Sequence, residues 1–139
     1  MFGLIPHAAR MGACVFVASG SSFDVNGYLR TSPFKAASVF RRGDIPRKET
    51  VARPDSGFTV IVCEGDIGKQ AESAMSFLAR HERDLQTMRR WGVDDVLFDF
   101  GVERTWELQE SHYLPPKFIA RMGHLGLGLS FTTVQLPRG

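Results

Sequence analysis

Residues 96–102 read VLFDFGV, and the alternation in that stretch decides the fold class. In an extended chain Val96, Phe98, Phe100 and Val102 point to one side, and Leu97, Asp99 and Gly101 to the other. The first set is wholly apolar, so the segment predicts a strand with one face in the core and the other partly polar. Just upstream, Lys69 to Trp91 carries Ala71, Ala74, Met75, Leu78, Leu85 and Met88, mostly at steps of three and four. That spacing predicts a long helix with one apolar stripe. Gly92 then stands where a glycine commonly closes a helix.

The pattern continues outward in both directions. Cys14 to Ala18 (CVFVA) and Phe58 to Cys63 (FTVIVC) are short apolar runs rich in β-branched residues, and both predict strands. Between them, Ser22 or Asp24 caps a short helix that buries Val25, Tyr28 and Leu29; Gly27 weakens it and Pro33 ends it. Ala37 to Arg41 suits a short strand. Gly43 to Gly57, punctuated by Pro46 and Pro54, is expected to be an exposed, mobile connection. Downstream, Trp106 to Tyr113 is compatible with a strand or an ordered loop. Pro115 and Pro116 set the start of a helix from Pro116 to His124, with Phe118, Ile119 and Met122 inward. Leu127 to Val134 closes the chain as a strand. This order predicts an α+β fold with a mainly antiparallel sheet, helices on one face, and a ferredoxin-like arrangement. Residues 1–11 are expected to form a loosely ordered tail, and 12–139 a single domain.

Composition bounds the function. The 139 residues are 43% hydrophobic and 23% charged, with 17 basic and 15 acidic side chains and a net charge of +2. Such a balance argues against a protein built mainly to hold nucleic acid or a membrane surface. The two cysteines, Cys14 and Cys63, both fall in strand-like runs. Buried free thiols in a reducing compartment are the expectation, with a single buried disulfide as the alternative. No stretch reaches the roughly 20 apolar residues of a membrane span. In the opening segment Met1 to Arg10 the positive charge follows the apolar part, the reverse of a secretory signal. A cytoplasmic location is expected.

Few residues suggest chemistry. His7, His81, His112 and His124 are not spaced as metal ligands, so neither a metal nor a cofactor is expected. Gly123, Gly126 and Gly128 follow a helix and precede a strand, the reverse of a dinucleotide-binding turn. Ser19, Ser21 and Ser22 have no evident base nearby and read as capping residues.

Two charged segments remain. Asp94, Asp95, Asp99, Glu103, Glu107 and Glu110 stand against a single base, Arg104. Asp99 and Glu103 share one face of an extended strand, where two carboxylates serve as acid and base or hold a divalent cation. A solvated sheet face carrying acids fits the same pattern. From Arg30 to Arg53, seven cations (Arg30, Lys35, Arg41, Arg42, Arg47, Lys48 and Arg53) face only Asp44 and Glu49. Arg41, Arg42, Arg47 and Lys48 are the candidate binding residues. They suit phosphates, with Phe34 and Phe40 adding stacking, or the acidic stretch of the same chain or of a second subunit. The second use is favoured, because opposite patches in a nearly neutral protein suggest self-complementarity.

Several phrases also carry a resemblance: Phe23-Asp24-Val25 with Tyr28-Leu29, Arg42-Gly43-Asp44, Gly57-Phe58, Phe77-Leu78, Leu97 to Gly101, Leu114-Pro115-Pro116, and Gly126 to Phe131. Together they resemble a family of small bacterial domains of unknown function, over most of the chain from Phe23 onward. The resemblance implies a fold and no catalytic residues, since none is assigned in that family. The expected function is a small cytoplasmic binding or interaction module that associates with a protein partner or with itself as a homo-oligomer. The alternative is a small enzyme using Asp99 and Glu103 on a charged substrate. A further alternative is nucleic-acid binding through residues 30–53.

Overall fold

A computed structural model describes residues 12–104 and 111–135. Its elements are β1 (Ala13–Gly20), α1 (Val25–Thr31), β2 (Ser38–Phe40), β3 (Ser56–Glu64), α2 (Ile67–Arg90), β4 (Asp95–Arg104), α3 (Pro116–Leu125) and β5 (Gly128–Gln135). The fold is α+β, with one five-stranded mixed sheet in the order β2-β3-β1-β4-β5. β1 pairs antiparallel with both β3 and β4, and β2 pairs antiparallel with β3. Only β4 and β5 run parallel, and α3 connects them. The expected tail, 1–11, and residues 105–110 of the 106–113 segment lie outside the described residues.

The alternation at 96–102 works as predicted on one side. Val96, Phe98, Phe100 and Val102 join Phe16, Ala18 and Phe58 in a single cluster with the buried faces of the helices. The rings of Phe16, Phe58, Phe77 and Phe98 lie within it and half-buried Phe34 packs against them, with neighbouring centroids 5.0–6.3 Å apart. Burying each such ring contributes roughly 2–3 kcal/mol of transfer free energy. On the other side of β4, however, Asp99 is wholly buried. The expected solvated face is therefore corrected at this residue.

The starts of α1 and α2 depend on local carboxylates. Asp24 caps α1 by accepting from Gly27 N at 3.1 Å, and Asp66 caps α2 by accepting from Lys69 N at 2.9 Å. The second cap begins α2 at Ile67, two residues before the expected start at Lys69, and so adds Ile67 and Gly68 to the helix. Gln70 is wholly buried, and its Nε2 donates to Gly65 O at 2.8 Å and Gly101 O at 2.9 Å, tying α2 to the end of β4. The stripe lapses between Leu78 and Leu85, and there α2 bends: His81 departs from helical geometry (φ −117°, ψ 18°). Its ring lies 4.6 Å from both Phe34 and Phe77, and Nδ1 pairs with Asp84 Oδ2 at 2.8 Å.

Candidate functional site

Asp99 sits at mid-strand on β4, beside the parallel strand β5. Residues two apart on β5 point to one face, so the Ser130 and Thr132 hydroxyls both donate to Asp99 Oδ1, at 2.5 and 3.0 Å. Oδ2 is buried with no hydrogen-bond partner among the described residues. Burial pushes the carboxyl above its ordinary range, and the two hydroxyl bonds pull it partway back. The sequence offers no hint of this trio, because nothing in 96–102 shows which strand will lie alongside it.

Glu103 lies four residues further along β4, roughly 13 Å away at about 3.3 Å per residue. The two carboxylates share a face, as expected, yet they occupy different surroundings. Glu103 is exposed. It borders a small cavity of about 220 Å³ at the end of the sheet, together with Asp66, His112, Gly12, Gly65 and Gly101. No group of three or more metal-ligating side chains occurs among the described residues.

Of the six acids expected as one patch, the four that are described are dispersed. Asp94 and Asp95 are exposed at the start of β4, Asp99 is buried, and Glu103 lies near the strand's far end. Glu107 and Glu110 fall outside the described residues.

The cations, by contrast, gather on one built feature. The β2–β3 connection folds back on itself: Gly43 N donates to Arg53 O at 2.9 Å, and Arg53 N to Asp44 O at 2.8 Å. Its base is a turn in which Arg41 N donates to Asp44 Oδ2 at 3.0 Å. Its tip is a second turn, closed by Glu49 N donating to Pro46 O at 3.0 Å. Arg47 and Lys48 occupy the two central positions of that tip, and Lys48 has φ 70°, a left-handed conformation uncommon for a side chain of its kind. The Arg53 guanidinium lies 5.2 Å over the Phe40 ring and fastens one arm to the sheet.

Arg41 and Arg42 are exposed, and their guanidiniums are steered by neutral oxygens. Arg41 Nη2 donates to Asn26 Oδ1 at 2.8 Å, and Arg42 Nη1 to Ser21 O at 3.3 Å. Neither of them, nor Arg47 or Lys48, is paired with a carboxylate among the described residues. The loop thus presents four cations at one end of the sheet, none of them in an ion pair among the described residues. The aromatic residues expected to stack with them do not join them. Phe34 packs against Phe16, Phe58, Phe77 and His81, while Phe40 is buried beneath Arg53.

No helix among the described residues is long and apolar enough to cross a membrane. No family model, curated protein or solved structure matches the chain.

Proposed function

We propose that this chain is a small binding module whose working surface is the cationic β2–β3 loop, and that its partner is an acidic protein surface. One observation carries the reading: Arg41 and Arg42 are held in place by Asn26 and Ser21 oxygens, which orient the guanidiniums without neutralising them. A guanidinium fork held this way suits a carboxylate, which it engages through two parallel bonds. A protein partner is favoured over nucleic acid because single-strand binding draws much of its strength from exposed aromatic stacking. Phe34 and Phe40 are committed to packing instead. A second copy of the chain is one such partner, with Glu64, Asp66 and Glu103 exposed at the opposite end of the sheet. The described acids Asp94, Asp95 and Asp99 lie apart from that group, so self-association is proposed on Glu64, Asp66 and Glu103.

The order β4-β1-β3-β2, with antiparallel pairing throughout, supports a ferredoxin-like unit to which α3 and β5 are appended. A cytoplasmic location and kinship with the small bacterial domains are proposed on the sequence patterns alone.

The test compares the wild-type chain with the double variant Arg41→Glu/Arg42→Glu. Fluorescence anisotropy is read with a glutamate-rich peptide and with a single-stranded oligonucleotide, at low and high salt, beside sedimentation velocity across a concentration series. Peptide binding that weakens with salt and disappears in the double variant is expected. Tighter binding of the oligonucleotide would replace this reading with the nucleic-acid one, and a monomer at every concentration and salt would remove self-association.

A further inference from the structure

Cys14 on β1 and Cys63 on β3 stand directly opposite each other in the antiparallel register, and both are free thiols. Side chains of opposed residues share a face of the sheet. Both cysteines accordingly pack on the helix side, Cys14 inside the core cluster and Cys63 against it. Opposed Cα atoms in an antiparallel pair lie about 4.5–5.5 Å apart. That falls inside the roughly 4.4–6.8 Å over which a disulfide closes. The register shifts immediately afterwards: Val15 pairs with Ile61, leaving Val62 as the extra residue of a bulge. A bulge bends its strand and increases the local twist.

The two sulfurs differ in access. Cys14 is wholly buried, whereas Cys63 is half-buried, with Sγ 3.9 Å from Lys69 O in the first turn of α2. Burial holds the Cys14 thiol protonated far above its ordinary range. An oxidant arriving from solvent therefore meets Cys63 first.

We propose that Cys14 and Cys63 form a reversible redox site, which a hydroperoxide converts from a dithiol to an intramolecular disulfide. In the first step Cys63 sulfur attacks one peroxide oxygen. The O–O bond breaks, the released oxygen leaves with the thiol proton as water (or as an alcohol from an organic hydroperoxide), and Cys63 becomes a sulfenic acid. In the second step Cys14 sulfur attacks Cys63 sulfur. The S–S bond forms, the S–O bond breaks, and the hydroxyl leaves with the Cys14 proton as water. Two thiols lose two electrons and two protons, and the peroxide O–O bond is reduced. An added dithiol reverses the change by exchange. The bond links the central strand β1 to β3 beside the first turn of α2, and it is independent of the binding role assigned to the loop.

The experiment exposes the reduced, folded wild-type chain to a small excess of hydrogen peroxide, quenches with acid and a thiol-blocking reagent, and reads intact mass and a peptide map. Circular dichroism before and after shows that oxidation occurs within the fold. The expected result is loss of two hydrogen atoms, a peptide pair joining Cys14 to Cys63, and full reversal by dithiothreitol. The Cys63→Ser chain forms no such link. Oxygen retained on Cys63 while Cys14 stays a thiol would overturn the proposal. So would a disulfide joining two chains through Cys63, or two unchanged thiols. Because the decisive result comes from the wild-type chain, poor folding of the variant leaves it intact.

Discussion

Ser130 and Thr132, two residues apart on β5, place both hydroxyls on the same Asp99 oxygen, leaving Asp99 Oδ2 buried with no partner among the described residues. Among the described residues no cation pairs with this carboxylate, and burial pushes its carboxyl above the ordinary 3.8. The folded state thus holds the proton more tightly than the unfolded chain. By linkage, the stability contributed by the protonated form is fully present below the unfolded value and is lost as pH rises through the folded one. Asp99→Asn keeps an oxygen for the two hydroxyls and removes the charge. It is expected to stabilise the fold by about 1–2 kcal/mol near neutral pH, with the gap shrinking on acidification. Urea midpoints of both chains at neutral and mildly acidic pH check this; a wild-type chain more stable than the variant at neutral pH would refute it.

Lys48 holds φ 70° at the tip of the β2–β3 loop, where a glycine adopts the same backbone without strain. Left-handed backbone costs a side chain-bearing residue roughly 1–2 kcal/mol, partly offset by the greater freedom of glycine in the unfolded chain. Lys48→Gly is therefore expected to leave stability unchanged or raise it by up to about 1 kcal/mol, while weakening any charge-dependent association. Thermal melting paired with the peptide titration separates the two effects. A lower melting temperature would mean that the Lys48 side chain supports the loop.

The helices and strands were legible wherever period and burial agree. VLFDFGV reads as a strand because every second side chain enters the core, and the long stripe on α2 reads as a helix for the same reason. Two kinds of information were missing. The first is the identity of a neighbour: Asp99 is buried because β5 brings Ser130 and Thr132 alongside it, and that parallel pairing spans some thirty residues of chain. The second is polar burial. Gln70 falls on the same face of α2 as Ala74 and Met88, but its polar amide gives no sign of full burial; it lies wholly inside because its Nε2 donates to two carbonyls there. The cationic segment was visible as composition, but its form as a folded loop depends on turns at Asp44 and Lys48 that no periodicity marks.

Gly20 and Gly92 bring β1 and the turn before β4 into direct backbone contact. A Cβ on Gly20 would lie 2.1 Å from Gly92 O and 3.3 Å from Asp94 N, so the backbone itself must move. Gly20→Ala is expected to cost on the order of 1–3 kcal/mol or more. Gly123, inside α3, meets nothing within 4 Å, and Gly123→Ala is expected to stabilise by about 0.5–1 kcal/mol. Chemical denaturation of the two single variants reads opposite signs if this close approach is correct, and similar midpoints would dismiss it.

Gln70 closes the join between α2, the end of β3 and the end of β4 by satisfying Gly65 O and Gly101 O with one amide nitrogen. Gln70→Ala leaves both carbonyls without that donor in a buried setting and is expected to cost about 2–3 kcal/mol. Gln70→Glu sharpens the test, because a carboxylate would set its oxygens against the same two carbonyls. Only its protonated form donates, so the folded pKa of the new group must rise above the ordinary Glu value of about 4.3. The sign follows: the glutamate variant is least stable near neutral pH and recovers toward the wild type as pH falls through the raised value. Denaturant midpoints of the wild type, Gln70→Ala and Gln70→Glu across that range decide the matter. A glutamate variant that tracks the wild type at every pH would show that the amide nitrogen is not what holds the three elements together.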